Sequence, residues 1–230
     1  MLCPWAPLVN DFSTNERKAM NLPSFVAAGC LCMLSASAFA VTDRMPPLAP
    51  DALTEAQHVA SASTTKGVPP GSPPRPMATG PILRSPELLS RLAYTGAYLR
   101  YDTDFERKLN EFATMITLRH WECQVEWPVH EKNAIKAGLR PAIAKAVADG
   151  QRPVGMDPDE EKVYDFLDEL HRNRSVSDAT YKRVQEKWGD RGVVDLVALD
   201  GYYSTIAAIL SVAQTPMPGG VPTQLPHLPR

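Results

Sequence analysis

The apolar positions of this chain recur at helical spacing from residue 81 to about residue 215, and no stretch pairs up as strands. Ser85-Pro86-Glu87 has the order of an N-cap followed by proline at the first helical position. Leu88, Leu89, Leu92, Tyr94, Thr95 and Leu99 then carry a helix to about Arg100. Asp104 is expected to open the next helix, with Phe105, Leu109, Phe112, Ala113, Ile116 and Thr117 facing inward up to about Arg119. Residues 120–126 read as a tight connection into a further helix, with Pro128 in its first turn and Gly138 just past its end. Residues 141–148 form a short helix closed by Asp149-Gly150. Residues 158–173 are amphipathic, with Val163, Phe166, Leu167 and Leu170 on the core side. Ser177 to Thr180 cap a helix that runs to Trp188 and is stopped by Gly189, and residues 192–212 form the most apolar helix. The pattern predicts an all-α domain of six or seven helices over residues 81–215.

Composition changes the picture at the two ends. Proline is concentrated before residue 81 and after residue 215. Residues 41–80 read as a Pro-rich N-terminal arm, extended where prolines cluster. One short helix near residues 51–57 interrupts it, capped by Asp51 or Thr54. An arm of this kind either wraps its own domain or reaches a neighbouring subunit. Residues 216–230 are expected to be a flexible tail. Residues 1–40 read as a signal peptide: Arg17 and Lys18, an apolar run over residues 25–34, then Ala38-Phe39-Ala40 as a cleavage pattern. The alternative, a buried helix of the domain, lacks a reason for that basic flank and that ending. The expectation is therefore an exported protein, periplasmic or secreted, with no membrane span in its mature form. Cys3, Cys30 and Cys32 would leave with the signal, so Cys123 would stand alone and form no internal disulfide.

A formal net charge of −2 gives no electrostatic footing for nucleic acid. The chain has no P-loop, GxGxxG, GxSxG or zinc-type cysteine pair, so no metal site is expected.

Candidate chemistry condenses between Leu109 and Leu139. Glu126 and His130 are four apart on one helix and share a face. Glu111, on the preceding helix, faces them if the two helices fold back on each other, which the short connection favours. A carboxylate beside an imidazole raises the imidazole pKa and orients its ring, which makes a usable acid–base pair. Spacing alone leaves plainer readings open: a solvated Glu126–His130 pair, Cys123 as a small buried hydrophobe, Trp121 and Trp127 as core, and Arg119, His120, His171 and Arg174 as surface charges.

Arg119-His120-Trp121, then Glu126-Trp127, His130 and Ala137-Gly138-Leu139, resemble the carboxymuconolactone decarboxylase family, which includes the alkylhydroperoxidase D proteins. The runs over residues 169–178 and 192–216, including Gly201-Tyr202-Tyr203, add to the resemblance, which covers residues 81–216. The glutamate, CxxC pair and histidine of the family's peroxidase branch fall on Glu111, Cys123, Glu126 and His130. Glu126 thus stands where that branch has its second thiol, so a dithiol cycle within one chain is impossible. The decarboxylase branch carries an aromatic residue before the Glu-Trp pair, and Val125 stands there in this chain.

The resemblance implies a cofactor-free helical enzyme, assembled as a homo-oligomer (trimer or hexamer), acting on a small carboxylated lactone or related organic acid. It implies His130 as proton donor, Glu126 or Glu111 setting its tautomer and charge, and Cys123 lining the pocket. Arg119, His120, Trp127, His171 and Arg174 are the expected substrate contacts. An arginine on the departing carboxylate would stabilise the ground state, so any such arginine should hold another group. Two rivals remain: a peroxiredoxin-type protein with one redox-active thiol at Cys123, and a non-catalytic oligomeric binding module of the same fold. The second predicts that Glu111, Glu126 and His130 do not converge on a pocket, and finding those side chains apart or solvated would favour it.

Overall fold

The computed structural model describes residues 42–68, 80–217, 219 and 225–228. The expected signal peptide and residues 69–79 of the arm lie outside the described residues. The regular structure is all α: seven helices and no strand among the described residues. They are α1 (Glu55–Ser63), α2 (Pro86–Tyr101), α3 (Arg107–His120), α4 (Trp127–Lys136), α5 (Pro141–Ala148), α6 (Pro158–Asn173) and α7 (Asp178–Ala213).

Helix α3 is the axis of the molecule. Every residue from Leu109 to Arg119 is buried, because α2, α4, α5, α6 and α7 all pack against it. A helix enclosed on all sides must bury its polar residues too. Thr114 therefore turns its hydroxyl back onto the carbonyl of Asn110, Thr117 gives its hydroxyl proton to Asp200 Oδ1, and Asn110 donates to the Leu99 carbonyl. The chain leaves α3 through a left-handed residue, Glu122 (φ 49°), and the Cys123 N–H closes the turn on the Leu118 carbonyl at 2.9 Å. Pro128 then sits in the first turn of α4, and Gly138 (φ 103°) follows its end. The result is the folded-back α3–α4 hairpin on which the candidate chemistry depends.

Asp157 and Glu160 form a capping box at the start of α6, and Ser177 caps α7. Gly189 (φ 68°, ψ −177°) breaks α7 into two rods. The second rod turns Leu196, Leu199, Tyr203 and Ile206 into the core. It lies so close to α2 that a Cβ on Gly96 would sit 2.3 Å from the Tyr202 hydroxyl.

Two expectations are corrected, and of the two courses open to the arm its described part takes the first. Helix α3 begins at Arg107 rather than at Asp104, because buried Phe105 anchors the connection against Trp188, with ring centroids 4.8 Å apart. The helix near residues 51–57 is capped by Thr54 and runs to Ser63, since Gln57 completes a capping box, while Asp51 lies in a separate 3-10 turn. The described part of the arm packs on its own domain: Ala60 is buried, Leu48 and Leu53 pack against the core, and the Arg84 guanidinium donates to the Pro46 carbonyl at 2.6 Å.

Residues 225–228 of the tail also depart from the free segment expected. Leu225 is only 3% exposed and pairs with Gln124, donating its N–H to Oε1 at 2.9 Å and accepting from Nε2 at 2.8 Å. Arg119 donates to the Pro226 carbonyl at 2.6 Å, and Glu122 accepts from the Leu228 N–H at 3.0 Å. Leu228 rests on Gly150, where a Cβ would come within 2.2 Å of it. Deleting residues 225–230 is expected to cost about 2–3 kcal/mol, mainly for exposing Leu225. It should also speed the reaction of Cys123 with a thiol reagent, because the turn bearing that cysteine loses its cover. Urea unfolding and thiol labelling of the truncated chain check both outcomes.

Candidate functional site

The α3–α4 hairpin brings Glu111, Glu126 and His130 together. His130 Nδ1 lies 2.6 Å from Glu111 Oε2, and Nε2 lies 3.6 Å from Glu126 Oε2. All three are buried, with exposures of 5% for His130, 1% for Glu111 and 7% for Glu126. Arg107, one turn ahead of Glu111 on α3, forms an ion pair with its other carboxylate oxygen. The Tyr203 ring meets the His130 ring edge-on at 4.8 Å, and Arg100 Nη1 donates to the Tyr203 hydroxyl at 3.4 Å.

The electrostatics follow from this packing. Burial disfavours an imidazolium, but Glu111 first and Glu126 second outweigh it, and the His130 pKa is pushed up to about 9. Burial likewise works against the Glu111 carboxylate, and His130, Arg107 and Arg100 hold it below the ordinary carboxylate range. At neutral pH the pair is an imidazolium on a carboxylate. Burial pushes the Tyr203 hydroxyl upward, so it keeps its proton. Burial also pushes the Cys123 thiol up to about 11, with the Glu126 charge adding to the effect.

The other residues singled out from sequence go elsewhere. Cys123 is buried in the turn that enters α4. Trp127 is enclosed in the core, so its ring is packing and offers no open face. Arg119 is turned to the C-terminal segment through the Pro226 carbonyl. His120 and His171 stack on each other at 4.0 Å, and His171 Nε2 lies 2.9 Å from Asp200 Oδ1. That oxygen also accepts from the Thr117 hydroxyl at 2.7 Å. Burial pushes the His120 pKa down, as do the charges of His171 and the exposed Arg174. These residues form a second polar group at the C-terminal ends of α3 and α6.

Arg107, Arg100 and Tyr203 were not among the residues expected from sequence. Arg107 was legible as the i,i+4 partner of Glu111. Arg100 and Tyr203 reach the site only because α2 and α7 pack across α3, which no local spacing encodes. Among the described residues, no group of three or more histidine, cysteine or carboxylate side chains is arranged to hold a metal. Comparisons with protein-family models, curated proteins and solved structures gave no match.

Proposed function

We propose that this chain is a cofactor-independent acid–base enzyme of the carboxymuconolactone decarboxylase type, acting on a small carboxylated lactone or a related organic acid. The observation that carries the reading is the buried His130 imidazole held 2.6 Å from Glu111, with Glu126 beside its other nitrogen. Glu111 keeps the Nδ1 proton in place, which leaves Nε2–H as the acid. When CO₂ departs, the electron pair of the broken C–C bond becomes a dienolate-like anion. His130 delivers its Nε2 proton to that carbon, and solvent restores the proton in the next turnover. The positive charge of the ring also stabilises the developing oxyanion in a site of low dielectric.

The single-thiol reading finds less support, because a thiol raised to about 11 supplies little thiolate at neutral pH. A purely structural reading must account for burying three ionisable groups together, an arrangement of doubtful benefit to stability. The test is CO₂ release by the full chain from a panel of carboxylated lactones and keto acids in D₂O. Release with deuterium placed on the product carbon supports the reading, and no release across the panel overturns it. Export through a leader over residues 1–40 belongs to the same proposal, and an intact N-terminus on the protein from its native compartment would refute it.

Assembly with further copies of this chain also belongs to it. The outward face of α7 exposes Val194, Val197, Ala198, Gly201, Thr205 and Val212 and no charged residue between them. Gly201 sits in mid-helix where a Cβ would meet nothing within 4 Å, so the single chain offers no reason for a residue that costs about 1 kcal/mol relative to alanine. Close approach of a second copy's helix is such a reason. Gly201→Arg is expected to leave the fold intact and to convert a trimer or hexamer into monomers by light scattering. A monomeric wild type would refute the assembly.

A further inference from the structure

We propose that Arg100 and Tyr203 form a subsite for a carboxylate of the ligand other than the one that reacts, so that the ligand is a small organic acid bearing a spectator carboxylate. The inference rests on the acid–base reading of His130 for its chemistry, but not for its geometry. Arg100 lies in the last turn of α2 and donates Nη1 to the Tyr203 hydroxyl at 3.4 Å. Its Nε and Nη2 are buried with no hydrogen-bond partner. Those two nitrogens lie on the same edge of the guanidinium, the edge that takes both oxygens of one carboxylate. Buried donors are satisfied in nearly all native structures, so a pair left open on one edge marks the place of an acceptor.

Charge points the same way. The guanidiniums of Arg100 and Arg107 and the imidazolium of His130 face the carboxylates of Glu111 and Glu126, which leaves one positive charge uncompensated. Glu111 is already engaged by His130 and by Arg107. A single anion balances the group. The Tyr203 hydroxyl accepts from Arg100 and so keeps its own proton for another oxygen.

The subsite lies one ring away from the proton donor, since Tyr203 contacts His130 edge-on at 4.8 Å. Arg107 is 37% exposed, and both guanidiniums flank the Tyr101 ring, at 4.9 Å for Arg107 and 5.8 Å for Arg100. The carboxylate held there cannot be the one that leaves, because an ion pair to the departing group would stabilise the ground state. It is a handle that positions the reacting carbon against His130.

The test uses acetate as the probe and the full chain, with chloride and acetamide at matched concentration as controls. Binding is read from the ¹⁵N and ¹H signals of the His130 ring. Saturable shifts with acetate, absent with both controls, are expected. Arg100→Lys keeps the charge but loses the two-donor edge and is expected to weaken acetate by about tenfold or more. Acetate acting no differently from chloride, or binding Arg100→Lys as tightly as wild type, overturns the proposal. Should Arg100→Lys fail to fold, Tyr203→Phe decides. The loss of one donor should weaken acetate by about threefold or more, and unchanged affinity overturns the proposal. Acetate binding without turnover of any acid in the panel refutes the decarboxylase reading and leaves the subsite standing. Turnover without Arg100-dependent binding does the reverse.

Discussion

Glu111→Ala is expected to remove about 3–5 kcal/mol of folding stability, a large part of the roughly 5–15 kcal/mol that a domain of this kind has. The carboxylate is almost fully enclosed and serves two cations at once, His130 on one oxygen and Arg107 on the other. Alanine leaves a buried imidazole that must give up its proton and an arginine without its partner. Glu111→Gln keeps the shape and one hydrogen bond and should fall between the two. Urea unfolding at pH 7 reads the difference.

The same pair fixes a pH signature. The folded pKa of His130 is raised from 6.5 to about 9, so its contribution is fully present below about 6.5 and is lost as pH rises through about 9. That loss is up to about 3 kcal/mol. Glu111 is lowered, so its contribution is present above about 4.5 and is lost as pH falls through its folded value. Wild type should therefore weaken on both sides, and Glu111→Ala should lose most of the decline across the alkaline window, with Glu126 and the raised Cys123 thiol accounting for what is left.

His130→Gln is expected to slow the proton-dependent step by about 10²- to 10⁴-fold, roughly 3–5 kcal/mol of barrier. Glutamine fills much of the ring's space and can still donate to Glu111, so the fold is expected to survive. It carries no proton that a carbanion could take at neutral pH. Cys123→Ser is the informative partner, because the buried, protonated thiol has no step to perform. Its activity should stay within a few-fold of wild type, whereas a single-thiol redox protein would lose everything. Parallel rate measurements on the best substrate of the panel separate the two.

The helices were legible because their signals are local. Pro86, Pro128, Pro141 and Pro158 each fall in the first turn of a helix, and Gly138 and Gly189 take left-handed conformations at breaks. The meeting of Glu111 with His130 was legible for a related reason: a short turn folds α3 back on α4, and the two residues sit at matching heights. What the sequence hid depends on contacts distant along the chain. Arg100 is drawn in by Tyr203, 103 residues later, and Gln124 by Leu225, 101 residues later. Spacing could not show that Arg119 serves the C-terminal segment or that His120 stacks on His171. Both residues are ordinary charges at a helix end until α6 and the tail are in place. Residues 225–228 escape the local pattern because the prolines around them look like a linker, while Leu225 and the Glu122-Gln124 turn supply an apolar anchor and paired polar groups.

The central claim is that His130 stands proton-loaded at neutral pH because Glu111 holds it so. The direct measurement is an NMR titration of the His130 ring in wild type and in Glu111→Gln, which requires no substrate. The account predicts a wild-type midpoint near 9, with both ring nitrogens protonated at pH 7, and a large downward move in the variant. A wild-type ring that titrates at or below the ordinary 6.5, neutral at pH 7, would contradict it. The site would then hold no proton to give.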